Sequence, residues 1–166
     1  MKNVITAVVL TAMSHGASGA TSSAAFPAPP SWVWRGDGAV YTIHHKLLSQ
    51  YTLEVTVTPI STTQEQMVVE VRDNTGVMVH QDRCQSTQTA KDAWTKVCSG
   101  GTSHGNMLDA TFGLGYDYYE AVDGKAYATT IVIDNPSTMR LFRYELVNGG
   151  ATKFFVERLH RISNEP

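Results

Sequence analysis

The chain has little of several things that would mark out a function. It holds two cysteines in 166 residues, Cys84 and Cys98, too few for an all-cysteine zinc site or a multi-bridge scaffold. Their spacing is far from Cys-X-X-Cys, which excludes a redox dithiol closed within one turn. There is no run of Lys or Arg, and 13 basic residues against 15 acidic ones leave a net charge of −2. That balance argues against a nucleic-acid groove or an electrostatic hold on an anionic membrane. No Gly-X-Ser-X-Gly elbow occurs, and no glycine-rich phosphate loop precedes a helix. "GLGYDYY" is Gly-X-Gly before a strand, the wrong context for a dinucleotide. Asn135 is followed by Pro136, and no other Asn-X-Ser/Thr acceptor exists. No ten-residue segment carries helical periodicity; the best candidate is a single turn near "TAKDAW".

What is present begins with a leader. Residues 1–20, "MKNVITAVVLTAMSHGASGA", place one charge, Lys2, before an apolar run from Val4 to Met13 and then small residues. That run is too short to span a bilayer and fits a cleavable secretory signal. The expected compartment is extracellular, or periplasmic if the source is bacterial. Residues 21–31 are rich in Ala, Ser and Pro and read as an extended leader, with a single folded domain from Trp32 to Pro166.

From Trp32 onward the pattern is strand after strand. In "QYTLEVTVTPI", Tyr51, Leu53, Val55 and Val57 alternate with Thr and Glu, so one face turns inward. Turns are expected at Asp73-Asn74-Thr75-Gly76, Asp123-Gly124 and Asn148-Gly149-Gly150, where Asn and Gly accept positive φ, with a break at Asn135-Pro136. About nine or ten short strands joined by tight turns predict an all-β chain: an antiparallel up-and-down barrel, or a strongly curved sandwich. A barrel is preferred because closure removes exposed edges.

An even cysteine count in an exported chain points to a Cys84–Cys98 disulfide, worth on the order of 3 kcal/mol for a loop of about fifteen residues. His80 and His104 flank the pair, yet their spacing matches no common zinc pattern, so no metal is expected. As a strand, "AWTKVC" puts Trp94 on the face of Cys98, where it would cover the bridge. Cys84, Trp94, Cys98 and the following "SGGTSHGNMLDATFGL" resemble the secreted fungal β-barrel family typified by the Alternaria major allergen. The resemblance implies a small secreted protein without catalysis, acting on a host. In architecture alone the meander is also similar to calycin (lipocalin-like) barrels.

Other residues are weighed against plainer roles. Arg35-Gly36-Asp37 matches an adhesion tripeptide, but Gly36-Asp37-Gly38 is also a good turn. Trp32 and Trp34 share parity and either cap a barrel end or line a ligand mouth. His44 and His45 alternate across a strand, which leaves at least one on the surface. Asp109, Asp117, Glu120 and Asp123 read as solvated carboxylates rather than a hydrolytic pair. Tyr116 and Tyr118 share one face and Tyr119 takes the other. No catalytic set or cofactor site emerges, and His80 or His104 as a general base is the weakest reading. Two functions remain: a binding protein that acts on a protein partner as an effector or inhibitor-type module, or a carrier of a small apolar ligand. Trp34, Tyr41 and Tyr118 are the candidate ligand-binding residues. No nucleic acid and no membrane span are expected. The chain is a monomer or a dimer, the latter by edge pairing of Trp32–Tyr41.

Overall fold

The computed structural model describes residues 31–109 and 113–162. The signal and leader expected over 1–20 and 21–31 fall outside these residues except for Ser31. The described chain is ten antiparallel strands: β1 (Trp32–Thr42), β2 (Leu47–Pro59), β3 (Gln64–Asp73), β4 (Met78–Ala90), β5 (Ala93–Cys98), β6 (Gly101–Asp109), β7 (Leu114–Ala121), β8 (Ala126–Asn135), β9 (Thr138–Val147) and β10 (Gly150–Ile162). Each pairs with its sequence neighbours, and β10 returns to β1 to close the barrel. The predicted up-and-down barrel is thus the fold, and it has no free edge for the edge-paired dimer considered above. Among the described residues there is no helix, and "TAKDAW" is a two-residue turn between β4 and β5.

Alternation sets which residues face in. Tyr51, Leu53, Val55 and Val57 of β2 are buried, as are Met67, Val69 and Val71 of β3, while the residues between them face out. The barrel has two ends. At the hairpin end lie the turns 43–46, 74–77, 99–100, 122–125 and 148–149; β1 starts and β10 finishes at the opposite end. Gly76 (φ 84°), Gly124 (φ 82°) and Asn148-Gly149 (φ 51° and 79°) supply the left-handed backbone these turns require. Asn74, expected to share that task, does not take a positive φ. His44 and His45 lie in the 43–46 turn rather than in a strand, with His45 at φ 61°.

Two glycines fit the wall to aromatic neighbours. Gly38 faces Tyr51 across β1–β2, and a Cβ there would stand 2.3 Å from the Tyr51 ring. Gly105 faces Trp94 across β5–β6, and a Cβ would stand 2.1 Å from the indole. Each large ring fills the space the missing side chain leaves. Arg35-Gly36-Asp37 is not a turn: it runs through the middle of β1, bonded to β2 and β10 on either side.

Candidate functional site

The inner wall is divided in character. Strands β1–β3 give it Trp34, Leu53, Val55 and Val69, whereas β4–β7 give it Asp82, Ser86, Lys96, Ser103 and Asp117. Among the described residues two ion pairs sit fully inside. Lys96 Nζ donates to Asp117 Oδ1 at 3.1 Å, and the Trp94 indole N–H donates to the same oxygen at 3.1 Å. Asp117 therefore belongs to the core, which corrects its reading as a solvated carboxylate. Its partner lies on a strand 21 residues away, out of reach of any local pattern. On β9 and β10 the Arg143 guanidinium binds Glu157, which also accepts from the Tyr51 hydroxyl. Burial works against charge on Lys96 and pulls its pKa down against the attraction of Asp117. Burial likewise opposes Arg143, but Glu157 and Tyr51 outweigh it and its pKa rises. Burial, with Glu157 beside it, pushes the Tyr51 phenol well above its ordinary range. Burial also lifts Glu65, inward-facing on β3, to about 7 despite Lys96.

The middle of the inner wall is filled by side chains. Val55, Ile131, Leu141, Leu159, Thr129 and Arg143 all retain 0% exposure, so side chains cover the inner wall. The three candidate ligand residues are not brought together. Trp34 is buried inside near the end where β1 starts, whereas Tyr41 and Tyr118 project from the outer surface. Trp32 also faces inward, with the Arg161 guanidinium 5.5 Å from its ring.

The outward tyrosines belong to a larger feature. Tyr118, Ala128, Tyr144, Phe154, Tyr41 and Leu47 are successive cross-strand partners from β7 around to β2. A parallel row runs Tyr116, Thr130, Phe142, Val156, Ala39 and Gln50. Neither row contains a charge, and six strands at the usual spacing make it about 24 Å wide. Tyr144 and Phe154 pack with centroids 4.9 Å apart, and Tyr41 and Phe154 at 6.5 Å. Tyr144 keeps 45% of its surface exposed. The sequence carried a trace of this wall: "RLFRYELV" has large apolar residues at both parities, one set more than a single core needs.

Further along β10, β1 and β2, and onto β3 and β4, the outer surface is polar. Gln81, Glu70, Glu54, Arg35 and His160 form one row across β4 to β10, with Arg35 paired to Glu54 at 2.6 Å and Arg72 to Glu70 at 3.0 Å. A groove of about 490 Å³ lies there, lined by Arg35, Asp37, Glu54, Glu70 and His160 among others. The adhesion tripeptide is thus held flat within a wall, with its arginine already engaged.

The other chemical candidates find little support. Cys84 and Cys98 are directly opposed on β4 and β5 and form the expected disulfide. Asp82 lies close to both sulfurs, but bonded sulfurs offer no thiolate to a metal. Asp82 is itself engaged by Tyr119, Ser99 and the Gly100 amide. Trp94 shares the inner face with Cys98, but Lys96 stands between them on the strand. His104 is exposed on the outer face. His80 is half-buried inside, and burial holds its pKa below the ordinary value.

No protein-family profile and no curated protein matches the chain, so the likeness to the fungal allergen family rests on its motif alone. Among solved structures the barrel is similar to the S-type phycobiliprotein lyase CPES from Guillardia theta, with TM-score 0.61 and 9% identity over 80% of this chain and 88% of that one. A designed fluorescence-activating β-barrel follows at TM-score 0.41 and 11% identity, covering 81% and 93%. Ail, the attachment invasion locus protein of Yersinia pestis, gives 0.30 and 9% over 80% and 97%. At these identities the likeness is one of fold.

Proposed function

We propose that this chain is a secreted, non-catalytic binding protein that engages a protein partner through the outer wall formed by β7–β10 and β1, as an effector or inhibitor-type module. The observation that carries this is the pair of charge-free rows holding Tyr118, Tyr144, Phe154 and Tyr41 beside Tyr116, Phe142 and Val156. Large contiguous apolar surface is uncommon on a monomer and marks interaction sites. Tyr and Phe with an arginine at the margin, here Arg140 over the Phe142 ring at 5.9 Å, is the composition of an interface core and its rim. The leader sequence and the disulfide support an exported protein. Carriage of a small apolar ligand is the alternative. The barrel shape favours it, but such a ligand would have to displace the packed, charged interior.

The test is a comparative pull-down from extracellular and host extracts. Wild type and a control with Thr52→Asp on the polar wall should retain a common partner. Phe142→Asp and Tyr144→Asp should lose it while their melting temperatures stay within a few degrees of wild type. Retention of the same partner by both wall variants overturns the reading.

A further inference from the structure

A second feature, which meets the aromatic wall only at Leu47, lies at the hairpin end. Of thirteen large apolar side chains left exposed among the described residues, nine lie within two residues of its turns and only three, Ile60, Leu108 and Ile162, at the other end. Six of them mark the tips of four separate hairpins: Ile43 and Leu48, Val77 and Met78, Val122, and Val147. Val122 is 83% exposed and Val77 60%, and tips set apart around a ring cannot cover one another.

We propose that this end is a seat for the surface of a lipid bilayer, with the apolar tips entering the headgroup region and the barrel standing clear of it. Three observations select lipid over a folded partner. A fluid plane meets four separated tips at once, whereas a protein would have to match each. The turns and their capping residues hold two charged side chains with no ion pair among the described residues, Lys46 and Asp73, and the Asp73 carboxylate is turned onto the turn's own amides; Asp123 is tied to Lys125. The turns also satisfy much of their own backbone, which a segment leaving water must do. Thr42 Oγ1 accepts from the His44 and Lys46 amides at 3.2 and 3.1 Å. Asp73 Oδ1 accepts from the Thr75 and Val77 amides at 2.9 and 3.0 Å. Insertion is confined to the surface: Glu54, Glu70 and Arg72 face outward along the wall, where a spanning barrel carries an apolar belt. No helix among the described residues is long and apolar enough to cross a membrane.

The experiment is flotation of the disulfide-bonded chain with phosphatidylcholine vesicles. Wild type floats with the lipid, and added salt changes this little because contact is apolar. Val77→Asp and Val122→Asp each lower partitioning at least roughly tenfold, as expected when a charge replaces a buried valine. Ile60→Asp, at the far end, and Tyr144→Asp, on the wall, leave it unchanged. In Val122→Trp the new indole shifts its emission to the blue on vesicles, a readout that keeps the tip apolar. The proposal fails if wild type does not float, or if the tip variants float equally well. It fails also if those variants only break up a self-associated form that never bound lipid. Loss of partner by Tyr144→Asp with flotation intact separates this test from that of the wall.

Discussion

At the scale of single residues, the buried charges decide most. Asp117 stabilises Lys96 and the Trp94 indole together, so removing its charge leaves an ammonium in the core. Asp117→Asn should cost about 3–5 kcal/mol in urea unfolding. The double change Lys96→Met with Asp117→Leu should cost less than either partner lost alone, because no orphan charge is left. Glu65 gives a pH dependence of definite sign. Its folded-state pKa of about 7 lies above the unfolded value, so the native state holds this proton more tightly. The associated stability is complete below pH 4 and is lost as pH rises through about 7. Glu65→Gln should flatten that fall and raise stability at pH 8 by about 1–2 kcal/mol, allowing for solvent at the strand end. A stability curve between pH 5 and 8 that is the same for both proteins would contradict this.

At the scale of elements, the disulfide ties one hairpin. Because Cys84 and Cys98 are directly opposed, the bridge closes only the β4–β5 unit and leaves the β1–β10 seam to hydrogen bonds and packing. Cys84→Ser with Cys98→Ser should lower stability by about 3 kcal/mol and keep the barrel's circular dichroism. Strands and turns were the most legible part of the sequence, since period-two alternation in β2 and β3 and Gly in three turns act locally. The β4–β5 turn was obscured by "TAKDAW", whose residues suit a helical turn as well as a tight connection. The mid-strand place of Arg35-Gly36-Asp37 was hidden because glycines there serve neighbours rather than the backbone: Gly38 clears Tyr51, and a Cβ at Gly36 would meet the Arg158 carbonyl at 1.8 Å. The interior ion pairs were not legible at all. Alternation separates Asp117 from Tyr116 and Tyr118 but does not say which set faces in, nor that Lys96 waits two strands away. The aromatic wall escaped notice for the same reason, its members being neighbours across strands and not along one.

At the scale of the molecule, the outer surface changes from aromatic to polar along shared strands while the ring of hydrogen-bonded strands is continuous. Closure leaves no strand available for addition by another chain. Removing β10 should therefore do more than delete thirteen residues. It would uncover β1 and β9 as edges and strip Glu157 from Arg143, and such a chain should aggregate on size exclusion where the intact one elutes as a single species. The closing pair has another consequence. Val33 stands opposite Ile162, so the described chain leaves the barrel beside the point where it enters. Strand order around the ring is a cycle that the covalent chain cuts at an arbitrary place. A permuted gene that links Ile162 to Ser31 by a few glycines and opens between Gly124 and Lys125 would trace the same cycle from a new start.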